Sequence, residues 1–293
     1  MNLVVGATGF LGSEICRRLA QQEKPVRALV RSSSDPAKIA ALQSLGIELV
    51  TGDLKDPQSL AAACQGVTAV ISTASVTISR QPGDSLQSVD LEGQLSLINA
   101  AKAANVSQFI YVSYSGNIDV DCPLKTAKRT VEQSLQESGL TYTILRPSSF
   151  MEVWLSPIVG FDSANANVTV YGTGERKISW ISLADVAQFA VESLTNPAAR
   201  NAVLELGGPD ALSPLGVIKI FEAASGRTFA VQHVPAEALQ GQLAGATDPI
   251  QQSFAALMLA VTQGDEIDMR ETLQKFPLQL TSVADFANRT ATH

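Results

Sequence analysis

The chain has 293 residues, of which 45% are hydrophobic and 17% charged, a composition typical of a globular protein with a sizeable core. Its formal net charge of −7, with no local block of Lys or Arg, argues against a nucleic-acid surface. The longest clean apolar run, at residues 254–261, is far too short to span a membrane, and no secretory signal pattern opens the chain. We therefore expect a cytoplasmic protein without a membrane partner.

The cysteines and histidines argue against two further kinds of site. Cys16, Cys64 and Cys122 are odd in number and unevenly spaced, so they indicate neither a disulfide framework nor a zinc site. His233 and His293 are too few for a histidine-based metal site or a Ser-His-Asp relay. No metal is therefore expected.

The first twelve residues carry the strongest local signal. Residues 3–5 form the short apolar run that a strand buried on both faces of a parallel sheet needs. Gly6, Gly9 and Gly12 follow at three-residue spacing, and a helical repeat of apolar residues begins at Leu11. The first N–H groups of a helix lack partners and its dipole favours negative charge, so this arrangement suits an anion. The pattern predicts dinucleotide binding.

Strand-like and helix-like segments then alternate through the first half of the chain. The next predicted strands are 26–30, 47–50, 69–72, 109–112 and 142–145. The predicted helices between them are 37–45, 57–64 (capped by Asp56), 86–104 and 123–138. This order predicts an α/β fold, a Rossmann-type doubly wound parallel sheet that binds ligands at the carboxyl ends of its strands.

The alternation ends after residue 147. Short strands are predicted at 168–171, 178–181 and 202–206, and helices at 183–194 (capped by Ser182), 214–225, 235–243, 248–262 and 281–289. We expect a dinucleotide-binding domain over residues 1–150, with about 178–207 returning to its sheet. Residues 151–293 are expected to form a smaller, mostly helical C-terminal lobe that binds the substrate.

The residue that ends the second strand distinguishes the two nicotinamide cofactors. NAD sites use Asp or Glu there for the ribose 2′-hydroxyl, whereas a 2′-phosphate requires Arg. Arg31 occupies this position and Ser32 follows it, a pair that favours NADP(H), although a solvated arginine would give the same pattern. Asp53, after the third strand, either accepts a hydrogen bond from adenine or initiates a turn.

Lys128 stands out on the helix predicted over residues 123–138. Leu124, Val131 and Leu135 form its apolar stripe, and Lys128 lies only about 40° from the centre of that stripe. Lysine is rarely buried without a partner, so a lysine that faces the sheet near the strand ends could hold ribose hydroxyls or donate a proton. The alternative is a side chain whose stem covers apolar surface while its amine reaches water.

Four stretches read Gly-Ala-Thr-Gly-Phe-Leu-Gly at 6–12, Val-Arg at 30–31, Gly-Asp-Leu at 52–54 and Ser-Gly-Leu-Thr-Tyr-Thr-Ile-Leu-Arg-Pro at 138–147. Together they resemble the atypical short-chain dehydrogenases/reductases, in particular the NmrA-like and isoflavone-reductase-like group. The resemblance implies that the 6–12 turn binds the pyrophosphate and that Arg31 binds the 2′-phosphate. The other cofactor contacts it implies are Thr8, Phe10, Leu11, Leu54, Ser113 and Lys128, with Pro147, Ser148 and Phe150 beside the nicotinamide and Thr73, Ala74 and Ser75 on its approach.

One departure from this superfamily concerns the proton donor. Lys128 falls where the superfamily has the lysine of Tyr-x-x-x-Lys, but Leu124 replaces the tyrosine. Epimerase or dehydratase chemistry on sugar nucleotides is therefore not expected. Tyr114, near the position of the superfamily's active-site serine or threonine, either supplies a proton, packs against the nicotinamide or hydrogen-bonds a loop.

Two classes of function fit these features. An NADPH-dependent reductase would transfer hydride to a small conjugated acceptor such as a quinone, an enone or a dye, which needs little acid assistance. The apolar residues between 150 and 155 would suit a flat substrate or would be ordinary core. A protein that only senses NADP(H), or a scaffold of the NmrA type, would equally lack the tyrosine. In either case we expect a monomer or homodimer.

Overall fold

The computed structural model describes residues 1–78 and 80–291, so His293, named above, lies outside the described residues. The described chain divides into two compact units. The first comprises Met1–Ser113, Thr126–Leu145 and Val186–Leu204. The second comprises Tyr114–Lys125, Arg146–Asp185 and the described chain from Glu205 onwards.

A seven-stranded sheet forms the centre of the first unit. Its strands are β1 Asn2–Val5, β2 Val26–Val30, β3 Glu48–Thr51, β4 Ala69–Ser72, β5 Gln108–Val112, β6 Thr141–Pro147 and β9 Ala202–Leu206. The strand order is β3-β2-β1-β4-β5-β6-β9, and neighbouring strands from β3 to β6 pair in parallel. The chain moves outwards from β1 to β3 and then returns to β4 beside β1, which confirms the Rossmann-type fold. The order reverses between β1 and β4, the place where such sheets bind ligands.

Helices cover this sheet. They are α1 Phe10–Gln21, α2 Pro36–Ser44, α3 Pro57–Ala63, α4 Gln94–Ala103, α5 Pro123–Glu137 and α7 Leu183–Glu192. The Asp35 and Asp56 carboxylates accept hydrogen bonds from the Ala37 and Gln58 amides, and a proline follows each cap at the first helical position. The predicted cap at Asp56 is thus confirmed. The buried apolar faces of these helices give the sheet its core, with Leu3, Ile15, Leu19, Ile71, Leu97 and Phe109 fully buried.

The single helix predicted over 86–104 is wrong in its first half. Leu86–Gly93 is a π-helix that leads directly into α4, and Ser85 and Ser88 form a reciprocal cap at its start. Two polar residues, Asp90 and Gln94, are completely buried at this transition. The apolar repeat does not distinguish the two helix types here, because they differ in the spacing of their backbone hydrogen bonds.

The second unit is mostly helical and also contains a small sheet. Strands β7 Phe161–Asp162, β8 Asn167–Tyr171 and β10 Ala230–Val234 are ordered β10-β8-β7. Its helices are α6 Met151–Trp154, α8 Pro214–Ser225, α9 Ala236–Gly245, α10 Pro249–Val261, α11 Arg270–Lys275 and α12 Val283–Ala291. The Phe161 and Phe221 rings meet edge to face at 4.7 Å in its core. Among the residues that the structure describes, no helix has the length and apolar character that a membrane span requires.

The strand predicted at 178–181 is not formed. Ile178 makes isolated bridges to Leu212 and Asp265, while Ile181 bridges Phe150. The run is buried, as its apolar sequence indicates, but successive residues pair with different segments and therefore build no ladder. Conversely, β10 is not predicted from the sequence, because it lies at the edge of the small sheet and its residues are mostly exposed.

Candidate functional site

The turn at residues 6–12, here the glycine turn, requires its glycines at two positions. Gly6 has a φ of +85°, and a Cβ there would lie 2.6 Å from Thr73 Oγ1. A Cβ on Gly12 would lie 2.2 Å from the Gly6 carbonyl oxygen, so α1 packs directly on the turn. The Gly9 amide closes the turn by donating to the Gly6 oxygen at 2.9 Å. The backbone at Gly6 and Gly12, between the end of β1 and the first turn of α1, therefore carries no side chain that could block the approach of a ligand.

The start of α1 is left open to a ligand. Gly9 is its N-cap, so no side chain caps the helix, and its first turn contains no acidic residue. Within the described chain, no side-chain cap is bonded to the N–H groups of Phe10, Leu11 and Gly12, which lie at the positive end of the helix dipole. This geometry fits a diphosphate that approaches the bare backbone closely.

The segment that follows β4 lies against the glycine turn. Thr73 donates to the Val5 carbonyl through its amide at 3.0 Å and through its hydroxyl at 3.2 Å. The buried Gln94 amide donates to the Ala74 carbonyl at 3.1 Å and accepts from the Ser72 hydroxyl at 2.8 Å. Thr73 and Ala74 are thus fixed at the point where the strand order reverses, and Ser75 follows them in sequence.

Arg31 follows β2 and is paired with a carboxylate that the sequence does not identify. Its Nη1 atom lies 2.6 Å from Asp84 Oδ2, and Lys55 Nζ lies 2.5 Å from Asp84 Oδ1. Burial opposes ionisation of Asp84, but hydrogen bonds from Lys55, the Gln81 amide and Arg31 outweigh it and lower the pKa of this carboxyl. Neither Lys55 nor Asp84 carries a sequence signal, since 29 residues separate them.

Asp53 acts in a turn. Its Oδ1 atom accepts a hydrogen bond from the Lys55 amide at 2.8 Å, and its carbonyl accepts one from the Asp56 amide at 2.9 Å. This geometry favours the second of the two interpretations of Asp53, while its role toward adenine stays a prediction. Leu54 is buried and lies against Gly93, where a Cβ would be 2.8 Å from Leu54 Cβ. Ser32 is exposed.

Lys128 lies on the buried face of α5, as its periodicity predicts. Its residue is only 5% exposed, so the alternative in which the amine reaches water is wrong. Its Nζ atom lies 3.7 Å from Asp90 Oδ1, 3.4 Å from the Val112 carbonyl oxygen and 5.1 Å from the centre of the Tyr111 ring. Burial lowers the pKa of Lys128, and the charge of Asp90 opposes this shift.

Asp90 is the counter-charge of Lys128 and is not identified by the sequence. It is completely buried, and its Oδ2 atom accepts a hydrogen bond from the Val76 amide at 3.0 Å. The π-helix and the segment after β4 are therefore joined at this carboxylate. Ser113, at the end of β5, accepts a hydrogen bond from Arg129 at 3.2 Å. Arg129 also pairs with the buried Glu132 at 2.6 Å.

Four other predicted site residues belong to the second unit, namely Tyr114, Pro147, Ser148 and Phe150. The Ser115 amide donates to the Pro147 carbonyl at 2.9 Å. Ser148 Oγ is buried without a hydrogen-bond partner among the described residues, and the Tyr114 hydroxyl is also buried. The roles of these four residues toward a nicotinamide stay predictions.

Arg146, near the end of β6, pairs with Glu205 at 3.1 Å. Of the apolar residues at 150–155, Met151 and Leu155 belong to the hydrophobic core of the unit, and Trp154 packs against it. For these three residues the interpretation as core is confirmed.

Comparisons with known proteins agree with this architecture. The NAD(P)H azoreductase of Xenophilus azovorans is 35% identical over 229 residues, which make up 78% of this chain and 74% of that protein. The photosystem II assembly factor Ycf39 of Trieres chinensis is 32% identical over 240 residues, or 80% of this chain and 72% of that protein. The NADPH complex of the quinone oxidoreductase QOR2 from Escherichia coli has a TM-score of 0.79 at 25% identity, with 99% of both chains covered.

The family assignment rests on nearly the full length of the chain. The sequence model of the NmrA-like family matches residues 2–287, which include the glycine turn, Arg31 and the helices of the second unit from α6 to the first turn of α12. The protein therefore belongs to the NmrA-like family.

Proposed function

We propose that this protein is an NADPH-dependent reductase that transfers hydride to a small conjugated acceptor such as a quinone, an enone or an azo dye. The observation that carries the proposal is the glycine turn, where a Cβ on Gly12 would meet the Gly6 carbonyl at 2.2 Å and α1 begins without a side-chain cap. Such a bare helix N-terminus at the switch point of a Rossmann sheet suits a dinucleotide pyrophosphate. Relatives named as an NAD(P)H azoreductase and an NADPH-dependent quinone oxidoreductase support the reaction class.

In this proposal, different residues of the first unit bind different parts of NADP(H). The amides of the glycine turn bind the pyrophosphate, Arg31 binds the 2′-phosphate, and Thr73 and Ala74 line the approach to the nicotinamide. When bound, the reduced nicotinamide supplies the hydride. The absence of the superfamily tyrosine, replaced by Leu124, favours acceptors that delocalise negative charge and need little acid assistance.

Lys128 is the proposed cation of the reaction. An ammonium near developing negative charge stabilises it, and more so where water is excluded. Lys128 contacts Asp90 and the Val112 carbonyl, and its pKa is lowered by burial, so it gives up a proton more readily than a solvated lysine.

Oxidation of NADPH at 340 nm with a panel of quinones and azo dyes tests this function. We expect turnover by the wild type and a loss in kcat of roughly 10²–10⁴-fold for Lys128→Met, the range of general acid catalysis. Lys102→Met, on the exposed side of α4, is the matched control and leaves kcat unchanged. Circular dichroism verifies that each variant is folded, and Lys128→Arg tests whether charge alone suffices.

A second candidate function is a protein that binds NADP(H) without turnover. Leu124 in the place of the superfamily tyrosine favours it, and so does the relative named as an assembly factor. Tight NADPH binding together with no oxidation by any acceptor would support this function and contradict the reductase. Absence of binding to either reduced cofactor would contradict both.

A further inference from the structure

One buried carboxylate joins two cations from different loops of the first unit. Arg31 follows β2, Lys55 follows β3 and Asp84 lies beyond β4, so the three come from segments that follow strands of the β3-β2-β1-β4 half of the sheet. Asp84 uses one oxygen for each cation, with Oδ2 at 2.6 Å from Arg31 Nη1 and Oδ1 at 2.5 Å from Lys55 Nζ. The loops are also tied by Gln81, whose Nε2 donates to the Ser33 carbonyl at 3.2 Å.

Exposure separates the carboxylate from the cations. The Asp84 side chain is 1% exposed, whereas those of Arg31 and Lys55 are 29% and 32% exposed. The carboxylate is therefore buried while both cations reach solvent. A guanidinium has five N–H donors and an ammonium has three, so each cation keeps further donors for a ligand after it bonds Asp84. Asp53 adds a weaker interaction, with its Oδ2 atom 3.9 Å from Lys55 Nζ.

We propose that Lys55 is a second cation for the 2′-phosphate of the cofactor and that Asp84 is the positioning residue that holds it beside Arg31. This inference rests on the NADP(H) binding proposed above and extends it to two residues. Without Asp84, the like charges of Arg31 and Lys55 would repel each other, and these flexible side chains would move into solvent. With Asp84, the ammonium and the guanidinium are fixed before the dianion arrives, which reduces the ordering cost of binding.

Two small probes test the cluster without the nicotinamide. Adenosine 2′,5′-bisphosphate carries the 2′-phosphate, and adenosine 5′-monophosphate lacks it; calorimetry or ligand-observed NMR gives the dissociation constant of each. We expect Lys55→Met to raise the dissociation constant of the bisphosphate by roughly five- to tenfold, and Arg31→Met to raise it by more. The dissociation constant of the monophosphate should change by less than about twofold in both variants. Lys102→Met leaves both constants unchanged. An unchanged ratio of the two constants in Lys55→Met overturns the role of Lys55.

Asp84→Asn separates positioning from charge. Removing a negative charge should by itself tighten binding of a phosphate, whereas loss of the positioning residue should weaken it. We expect weaker bisphosphate binding, and tighter binding would overturn the positioning role. If Asp84→Asn does not fold, Lys55→Met still decides the role of the lysine because its half-exposed side chain supports no core. If the wild type itself binds neither the bisphosphate nor NADPH, the proposed function fails rather than this extension of it.

Discussion

The buried pair of Lys128 and Asp90 predicts a large coupling energy in a double-mutant cycle. The Lys128 and Asp90 side chains are 6% and 0% exposed, and the ammonium lies 3.7 Å from the carboxylate oxygen. At an effective dielectric constant of about 20, two charges at that separation attract by about 4 kcal/mol. Removal of one partner leaves the other charge buried, so we expect Lys128→Met and Asp90→Asn each to lower the free energy of unfolding by roughly 3–5 kcal/mol.

The double variant should cost less than the sum of the two single variants, by roughly 2–4 kcal/mol, because it leaves no unpaired buried charge. Urea denaturation followed by far-ultraviolet circular dichroism measures all four proteins. The exposed pair of Lys275 and Glu271, at 2.6 Å on α11, is the control, and its own cycle should give at most about 0.5 kcal/mol. Additivity of the Lys128 and Asp90 effects within about 0.5 kcal/mol would refute the reasoning.

The pH dependence of the free energy of unfolding tests the same pair independently, because its direction can be worked out. The folded-state pKa of Lys128 lies below its ordinary value of 10.5, because burial disfavours the ammonium. Between the folded pKa and 10.5 the unfolded chain therefore binds more protons, and stability rises with pH. Loss of Asp90 removes the opposing charge and lowers this pKa further. The stability deficit of Asp90→Asn should accordingly shrink as the pH is raised towards 10.5.

Two other substitutions have defined outcomes. Gly12→Ala forces a Cβ to within 2.2 Å of the Gly6 oxygen, so NADPH affinity in a fluorescence titration should fall at least roughly tenfold and the free energy of unfolding by about 1–3 kcal/mol. The control is Gly241→Ala, which has no atom within 4 Å of the new Cβ and should be neutral or stabilising. Equal effects of the two substitutions would contradict the packing argument. Burial raises the folded-state pKa of Glu152 above 4.5, so its carboxylate destabilises the fold once the pH exceeds that value. Glu152→Gln should therefore raise the urea midpoint at pH 7 but not below pH 4.5, and a loss at pH 7 would contradict it.

The sheet could be predicted because each of its first six strands contains a short, mostly apolar run. The structure agrees with the predicted bounds of 26–30 and 69–72, and it shifts the other strands by only a few residues. The glycine turn could also be predicted from the sequence, because its glycines are adjacent to the strand and the helix that they join. The inward direction of Lys128 followed from helical periodicity alone.

The partners of the predicted cations could not be found in this way. Arg31 and Asp84 are 53 residues apart and meet only because β2 and β4 flank β1 in the sheet. Asp90 reaches Lys128 from a π-helix, whose geometry leaves no distinct apolar repeat. Local sequence patterns predict which face a residue occupies, but they do not predict which charges the chain folds together.

The π-helix has a consequence for how this chain can vary in length. Its wider i→i+5 repeat accommodates one residue more than an α-helix would over the same rise. Deleting a single residue between Leu86 and Gly93 would therefore let the segment relax to an α-helix with little rotation of the chain before it relative to α4. Within the segment, the position of Asp90, which contacts Val76 and Lys128, would shift. The loss of one residue here should therefore leave the flanking elements in place and disturb this buried carboxylate first.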